Sequence, residues 1–347
     1  MGTVRDWLTD ALNGETPEYT PLSLYSWMMD RPTVKAETDM WDRLIDQGLG
    51  LCHHCGTVRH IEHGVTNTTE EKKTGADTYT IYRKQTPVGT LQMVRRNGWH
   101  HEDWVKTPQD YKVRQWIVEN TELQPCYEDY EKAEAFVGNR GVTVICGSRS
   151  PAMSINVDWA GTQQFCLDLA MEVPELYDLF AAQRQQFLAE TRLLAAGPGR
   201  FVKWFENLTI CMLGPQRYAD LLVSVYNETV PLLAQSGKRV MVHYDGALSV
   251  IADQIAAAPF HMVESVTEPP EGDMTYDQCR KAWPDKVLWA NINVALYYGS
   301  HEQLRQEVIA KRRRAGKRAF AFEISEDLPS TWQTTIPVVL ETLRQIG

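Results

Sequence analysis

Three glutamates each follow directly on a short apolar run: Glu206 after GRFVKWF, Glu264 after FHMV and Glu323 after KRAFAF. His243 closes a similar run, KRVMV, with Tyr244 and Asp245 just behind it. A carboxylate at the end of a buried segment loses hydration at a cost unless it is paired, so such a position usually has a use. Carboxylates beside an imidazole can donate and accept protons, which makes His243, Glu206 and Glu264 candidate catalytic groups, with Glu323 as a further one. The same groups offer a hard nitrogen and oxygen donor set of the kind that suits Zn2+. The competing explanation is that each acid is salt-bridged or capped where its segment ends. Aromatic residues cluster near the same points: Tyr25, Trp27, Trp204, Phe205 and Tyr244. They can line a flat pocket for an aromatic substrate, or simply fill a core. Tyr25, Trp27 and Tyr244, with Asn207 and Asn291, are the candidate substrate-binding residues.

Two other motifs weigh less. CHHC at 52–55, followed by His60 and His63, has the C-x2-C opening of a zinc site, but the following histidines come too soon for a finger. On a strand, alternation sends Cys52 and His54 to one side and His53 and Cys55 to the other, so core or rim residues are the expectation. KRRRAGKR at 311–318 is expected to be a solvated helix end complementing the macrodipole.

The elements that must position these residues recur along the chain. Eight short apolar runs appear, at 20–27, 47–54, 141–148, 199–207, 238–246, 260–265, 286–294 and 317–325. Nearly continuous apolar character is how buried parallel strands read. Amphipathic helical stretches separate most of them, among them GPQRYADLLVSVYNETVPLLAQSGK and SHEQLRQEVIAKRRRAGK. Eight such units predict an α/β fold of the (β/α)8 TIM-barrel type, as one domain over residues 1–347. A doubly wound open sheet is the alternative, but no glycine-rich phosphate turn follows the first run. The barrel's active face lies at the C-terminal ends of its strands. That rule selects Tyr25 and Trp27, His53 to Cys55, Cys146 and Arg149, Glu206 and Asn207, His243 to Asp245, Glu264 and Glu268, Asn291 and Asn293, and Glu323, Ser325 and Glu326. Period-two alternation around Pro87-Val88-Gly89 predicts a β-hairpin insertion at 66–100, between the second and third strands. Its polar start, TNTTEEKKTGAD, is expected to be a loop.

Composition limits the partners. The net charge is −10, which argues against nucleic acid, and no run of about 18 apolar residues suggests a membrane span. The first residues form an amphipathic helix pattern without the apolar centre of a signal peptide. Seven cysteines are then expected to be reduced thiols in a cytoplasmic protein.

Several stretches, in order, resemble the uroporphyrinogen decarboxylase superfamily, and within it the corrinoid-dependent methyltransferase branch. They are RDWLTDALNGETPEYTPLSLY, TPVGTLQ at 86–92, residues 101–130, GKRVMVHYDG at 237–246, WANINV at 289–294 and the closing EDLPSTWQTTIPVVLETL. The resemblance implies a (β/α)8 barrel. The decarboxylase's arginine-rich W-x-M-R-Q-A-G-R motif is replaced by Trp27-Met28-Met29-Asp30-Arg31-Pro32, which argues against tetrapyrrole decarboxylation. Thiol-methylating members carry a zinc triad of His-x-Cys and a later Cys. Here His243 matches the histidine, Asp245 stands at the first cysteine's position and Glu323 lies near the second's. The resemblance thus implies a metal site of His243, Asp245 and Glu323, with zinc as the metal. It further implies transfer of a methyl group from a small methylated substrate, such as a methoxylated aromatic, to the Co(I) corrinoid (cobalamin) of a partner protein. A thiol methyltransferase, a decarboxylase or lyase acting on a smaller acid, and a non-catalytic corrinoid- or ligand-binding barrel are the alternatives.

Overall fold

The computed structural model describes residues 2–208 and 210–347. Eight parallel strands close into a barrel: Leu22–Tyr25, Leu49–Cys55, Gly141–Gly147, Phe201–Trp204, Arg239–His243, Met262–Val266, Val287–Asn291 and Phe320–Glu323. Each pairs with its sequence neighbours, and the eighth closes on the first through Leu22–Phe322 and Ser23–Glu323. The protein is therefore a (β/α)8 barrel, and all eight apolar runs contribute a strand. Their continuous apolar character has the expected cause. One side of each strand fills the barrel and the other packs on the helical layer, so both are buried.

The barrel's N-terminal end is covered by the helix Val4–Asn13, which starts on a capping box between Thr3 and Asp6 and stops at Gly14 with φ 86°. Its Leu8 is fully buried against Gly50 of the second strand, where a Cβ would lie 2.7 Å from Leu8 Cδ1. The second and third strands approach so closely at Gly141 that a Cβ there would lie 2.0 Å from the Leu51 carbonyl oxygen. Longer helices, Pro174–Ala196, Ser224–Gln235, His301–Ala315 and Trp332–Ile346, form part of the outer layer.

The insertion is larger than a hairpin. Thr66–Thr74, Asp77–Thr86, Gly89–Arg96 and Trp99–Glu102 form a four-stranded antiparallel sheet, and Val58–Glu62 pairs with Thr121–Pro125 beside it. The stretch expected as a loop is thus an edge strand with every residue exposed. Because neither face is buried, its sequence shows no hydrophobic alternation. Main-chain pairing and cross-strand contacts, such as Arg83 Nη1 to Glu70 Oε2 at 2.8 Å, order it instead.

The basic run at 311–318 also departs from expectation. Lys311 and Arg312 are buried. Lys311 Nζ reaches Glu268 Oε2 at 2.7 Å and Asn293 Oδ1 at 2.5 Å, and Arg314 also clasps Glu268. Among the described residues all seven cysteines are free, and no helix is long and apolar enough to cross a membrane.

Candidate active site

Alternation along the barrel strands turns one set of polar side chains inward, near their C-terminal ends. At the centre is Glu264. Its Oε1 accepts from Lys203 Nζ at 2.6 Å and from the Tyr25 hydroxyl, and its Oε2 faces His243 Nδ1 at 2.8 Å. The far nitrogen of the ring, His243 Nε2, lies 3.1 Å from Glu326 Oε1, which also accepts from Ser265 Oγ at 2.6 Å. Lys203, Glu264 and His243 are buried, whereas Glu326 reaches the surface of the mouth.

The charges of this column follow from mutual proximity. Burial works against charge on Lys203, but the Glu264 and Glu323 carboxyls outweigh it and raise its pKa. Burial likewise opposes charge on His243, and Glu264 together with Glu326 overcomes it, lifting the pKa to about 9. Burial would raise the Glu264 pKa, but Lys203 and His243 hold it well below the usual range. Glu326 is lowered through its bond to His243, despite partial burial. Glu323 is the exception. Burial, and then the charge on Glu264, push its pKa well up. At neutral pH the column thus holds two cations, Lys203 and His243, and two anions, Glu264 and Glu326, with Glu323 pushed toward its protonated form. His54 completes the wall at 4.8 Å from the Tyr25 ring and 4.9 Å from Phe205. Burial, then Lys203, lowers its pKa to about 3, so it is neutral.

His243, Asp245 and Glu326 each bring one ligand atom within 4.8 Å of the others; among the described residues they alone form such a metal-sized group. Glu326, not Glu323, is therefore the third member. Glu323 ends its strand pointing into the closed interior, while Glu326 lies on the following loop, which carries it back over His243. The donors form a nitrogen and two-oxygen set with no thiolate. With Nδ1 tied to Glu264, Nε2 is the ring atom turned to the group, the usual arrangement behind a metal-bound histidine. These three residues could hold a zinc ion through one nitrogen and two carboxylate oxygens, and the ion would supply Lewis acidity. Asp245 and Glu326 line a cavity of about 250 Å3 that also touches Asn291, Gly246 and Thr267.

The other expected site residues fall into two groups. Tyr25 is in the column. Trp27 is 42% exposed at the rim, stacked on Tyr25 with its centroid 6.0 Å away and covered by the Arg31 guanidinium at 4.8 Å. Asn291 donates to Ser265 Oγ at 2.7 Å and borders the mouth cavity. Glu206 and Tyr244, by contrast, do not face the mouth. Glu206 Oε2 accepts from the Ser150 amide and hydroxyl at 3.1 and 2.8 Å, and Oε1 accepts from Tyr226 of helix Ser224–Gln235 at 2.9 Å. Tyr244 is fully buried beside Tyr226 and Tyr218. Both lie between strand ends and helices. Burial, only partly offset by these hydrogen bonds, raises the Glu206 pKa to about 7. Asn207 takes a left-handed φ of 48° and accepts from Arg149 at 2.8 Å. Of the CHHC motif, Cys52 and His54 turn inward, 3.5 Å apart, while His53 bonds Ser26 Oγ at 2.8 Å. Sequence reasoning passed over Lys203. The available signal was a lysine two residues before Phe205 inside an otherwise apolar strand, a spacing that shares one strand face.

No protein-family model and no curated protein matches the chain. Among solved structures, a methyltransferase from Methanosarcina mazei aligns over 100% of this chain and 99% of its own, with TM-score 0.58 and 10% identity. An Aquifex aeolicus VF5 protein aligns over 100% and 98%, with TM-score 0.35 and 12% identity. An N-acetylneuraminate lyase from Fusobacterium nucleatum covers 70% of this chain and 62% of its own, with TM-score 0.29 and 9% identity. The first shows a shared barrel fold; the other two scores carry no argument.

Proposed function

We propose that this chain is a methyltransferase that moves a methyl group from a small methylated substrate, such as a methoxylated aromatic, to the Co(I) corrinoid of a partner protein. The supporting observation is a histidine held between two carboxylates and backed by a buried lysine, with one of those carboxylates, Glu326, lining the mouth cavity together with Asp245. Attack of Co(I) on a methyl ether breaks the carbon–oxygen bond and leaves an alkoxide or phenoxide. Such a group leaves poorly unless it receives a proton or a Lewis acid. Glu264 fixes the ring through Nδ1, and Lys203 keeps Glu264 ionised. The His243 proton is then available at Nε2, on the side of Asp245 and Glu326. Zinc at the same place would take the position of that proton: His243, with Nε2 deprotonated, Asp245 and Glu326 would hold it, and it would supply Lewis acidity to the departing oxygen instead. Tyr25 and Trp27 offer a stacked aromatic wall for the substrate. A donor set without thiolate favours this half-reaction over methylation of a thiol.

The test combines the purified chain with a reduced corrinoid protein and a panel of methoxylated aromatics and methylamines. Methyl–cobalt formation is followed by absorbance, and metal content is measured alongside. Transfer from at least one donor is expected. His243→Ala is expected to abolish it with the far-ultraviolet circular dichroism unchanged. Absence of transfer from every donor, or full turnover in H243A, overturns the reading.

A further inference from the structure

Phe205 divides the barrel mouth. One side of its ring faces the column described above, with its centroid 5.8 Å from the His243 ring and 4.2 Å from Lys203 Nζ. It also borders a separate cavity of about 360 Å3, between the ends of the third and fourth strands and the helix Pro174–Ala196. That volume is within the range of small-molecule sites, roughly 300–1,000 Å3.

The polar groups on this cavity are unusual in being unsatisfied. Gln183 is 5% exposed and Glu190 4% exposed, yet Gln183 Oε1 and Glu190 Oε2 have no hydrogen-bond partner. Glu190 Oε1 is occupied by the Ser148 amide at 3.1 Å, which fixes the carboxylate, and its Oε2 makes no hydrogen bond, with His60 Nε2 standing 3.6 Å away at the cavity's edge. Arg114 Nε and Arg149 Nε are buried donors without acceptors. Arg149 is already paired with Asp158 at 2.6 Å, but the nearest carboxylate of Glu62 stands 4.0 Å from Arg114. The Arg114 guanidinium lies 3.7 Å over the Trp159 ring, a position that fixes a planar cation. Burial lowers its pKa to about 10, so it remains charged at neutral pH. Buried polar groups without partners are costly, and two donors and two acceptors left open around one cavity match an occupant that supplies both kinds of group.

We infer that this cavity is a binding site for a small planar organic acid that carries a hydroxyl or amino group. Its carboxylate meets Arg114, its hydroxyl or amino hydrogens meet Gln183 Oε1 and Glu190 Oε2, and its ring lies between Trp159 and Phe205. The site stands independently of the methyl-transfer reading, since it rests on other residues and requires no corrinoid.

The experiment is calorimetric titration of the whole chain, without corrinoid, using 4-hydroxybenzoate, 3-hydroxybenzoate and 4-aminobenzoate. Benzoate, which lacks the donor, and phenol, which lacks the acid, serve as controls. At least one of the three bifunctional acids is expected to bind, with each control weaker by tenfold or more. Gln183→Leu is expected to weaken that acid by about tenfold while leaving residual benzoate binding and the melting temperature unchanged, since Gln183 Oε1 has no partner within the protein to lose. Arg114→Met is expected to abolish binding of the acid. Because loss of Arg114 can also disturb the fold, its melting curve is recorded, and Q183L alone decides if the variant is unfolded. No binding of any bifunctional acid at millimolar concentration, or binding insensitive to Q183L, overturns the inference.

Discussion

At the scale of single residues, the lysine on the fourth strand organises the mouth. Of the three other buried lysines, Lys238 and Lys286 spend their charge on backbone carbonyls of neighbouring segments, and Lys311 pairs with Glu268 in the outer layer. Lys203 alone of the four meets a carboxylate inside the barrel, at 2.6 Å. Removing one member of such a buried pair leaves an uncompensated charge, which costs roughly 3–5 kcal/mol. Lys203→Met is therefore expected to lower the unfolding free energy by about that amount in urea titrations, and Lys203→Met/Glu264→Gln to recover most of it. Glu206 gives a pH dependence of opposite origin. The folded chain keeps its proton up to about pH 7, whereas the unfolded chain releases it near 4.5. The folded state thus binds more protons in that window, so stability falls as pH rises through it and then levels off. At about 1.4 kcal/mol per pKa unit the loss is roughly 3 kcal/mol. Glu206→Gln is expected to flatten the urea midpoint between pH 4.5 and 7 relative to the parent chain.

At the scale of elements, the eight strands were legible because each is apolar on both sides, and the inserted sheet was legible only where one face is covered. Leu91, Met93 and Val94 of Gly89–Arg96 are buried, and there the alternation was visible. Thr66–Thr74 buries nothing, and its place is set by pairing that leaves no hydrophobic trace. The basic helix end misled for a related reason. A charge run looks solvated unless its partner is known, and Glu268, the partner, lies 43 residues before Lys311. Close strand approach makes its own demand. Gly141→Ala places a methyl group against the Leu51 carbonyl, which cannot yield without shifting the second strand. A loss of at least about 3 kcal/mol is expected, with a lower melting temperature, beyond ordinary overpacking of a flexible side chain.

At the scale of the whole molecule, the barrel has a structural end and a chemical end. The helix Val4–Asn13 closes the first. Leu8→Ala there is expected to cost roughly 2–5 kcal/mol in urea unfolding. The opposite end holds the column from Lys203 to Glu326 on one side of Phe205 and the second cavity on the other. The sequence by itself determined the barrel, because eight doubly buried strands leave eight apolar runs, and it determined that His243 and several acids stand at their ends. Only the tertiary structure decided which of those acids meet. Alternation fails where the backbone leaves regular strand geometry, whether past a strand's last residue or at an irregularity within it. Asn207 and Ser265 take φ of 48° and 69°, and the register shifts between Glu264 and Val266. At such points the chain turns by an amount that spacing does not encode. That is why Glu206 points away from the mouth, Glu323 ends in the interior, and Glu326, three residues farther on, reaches His243.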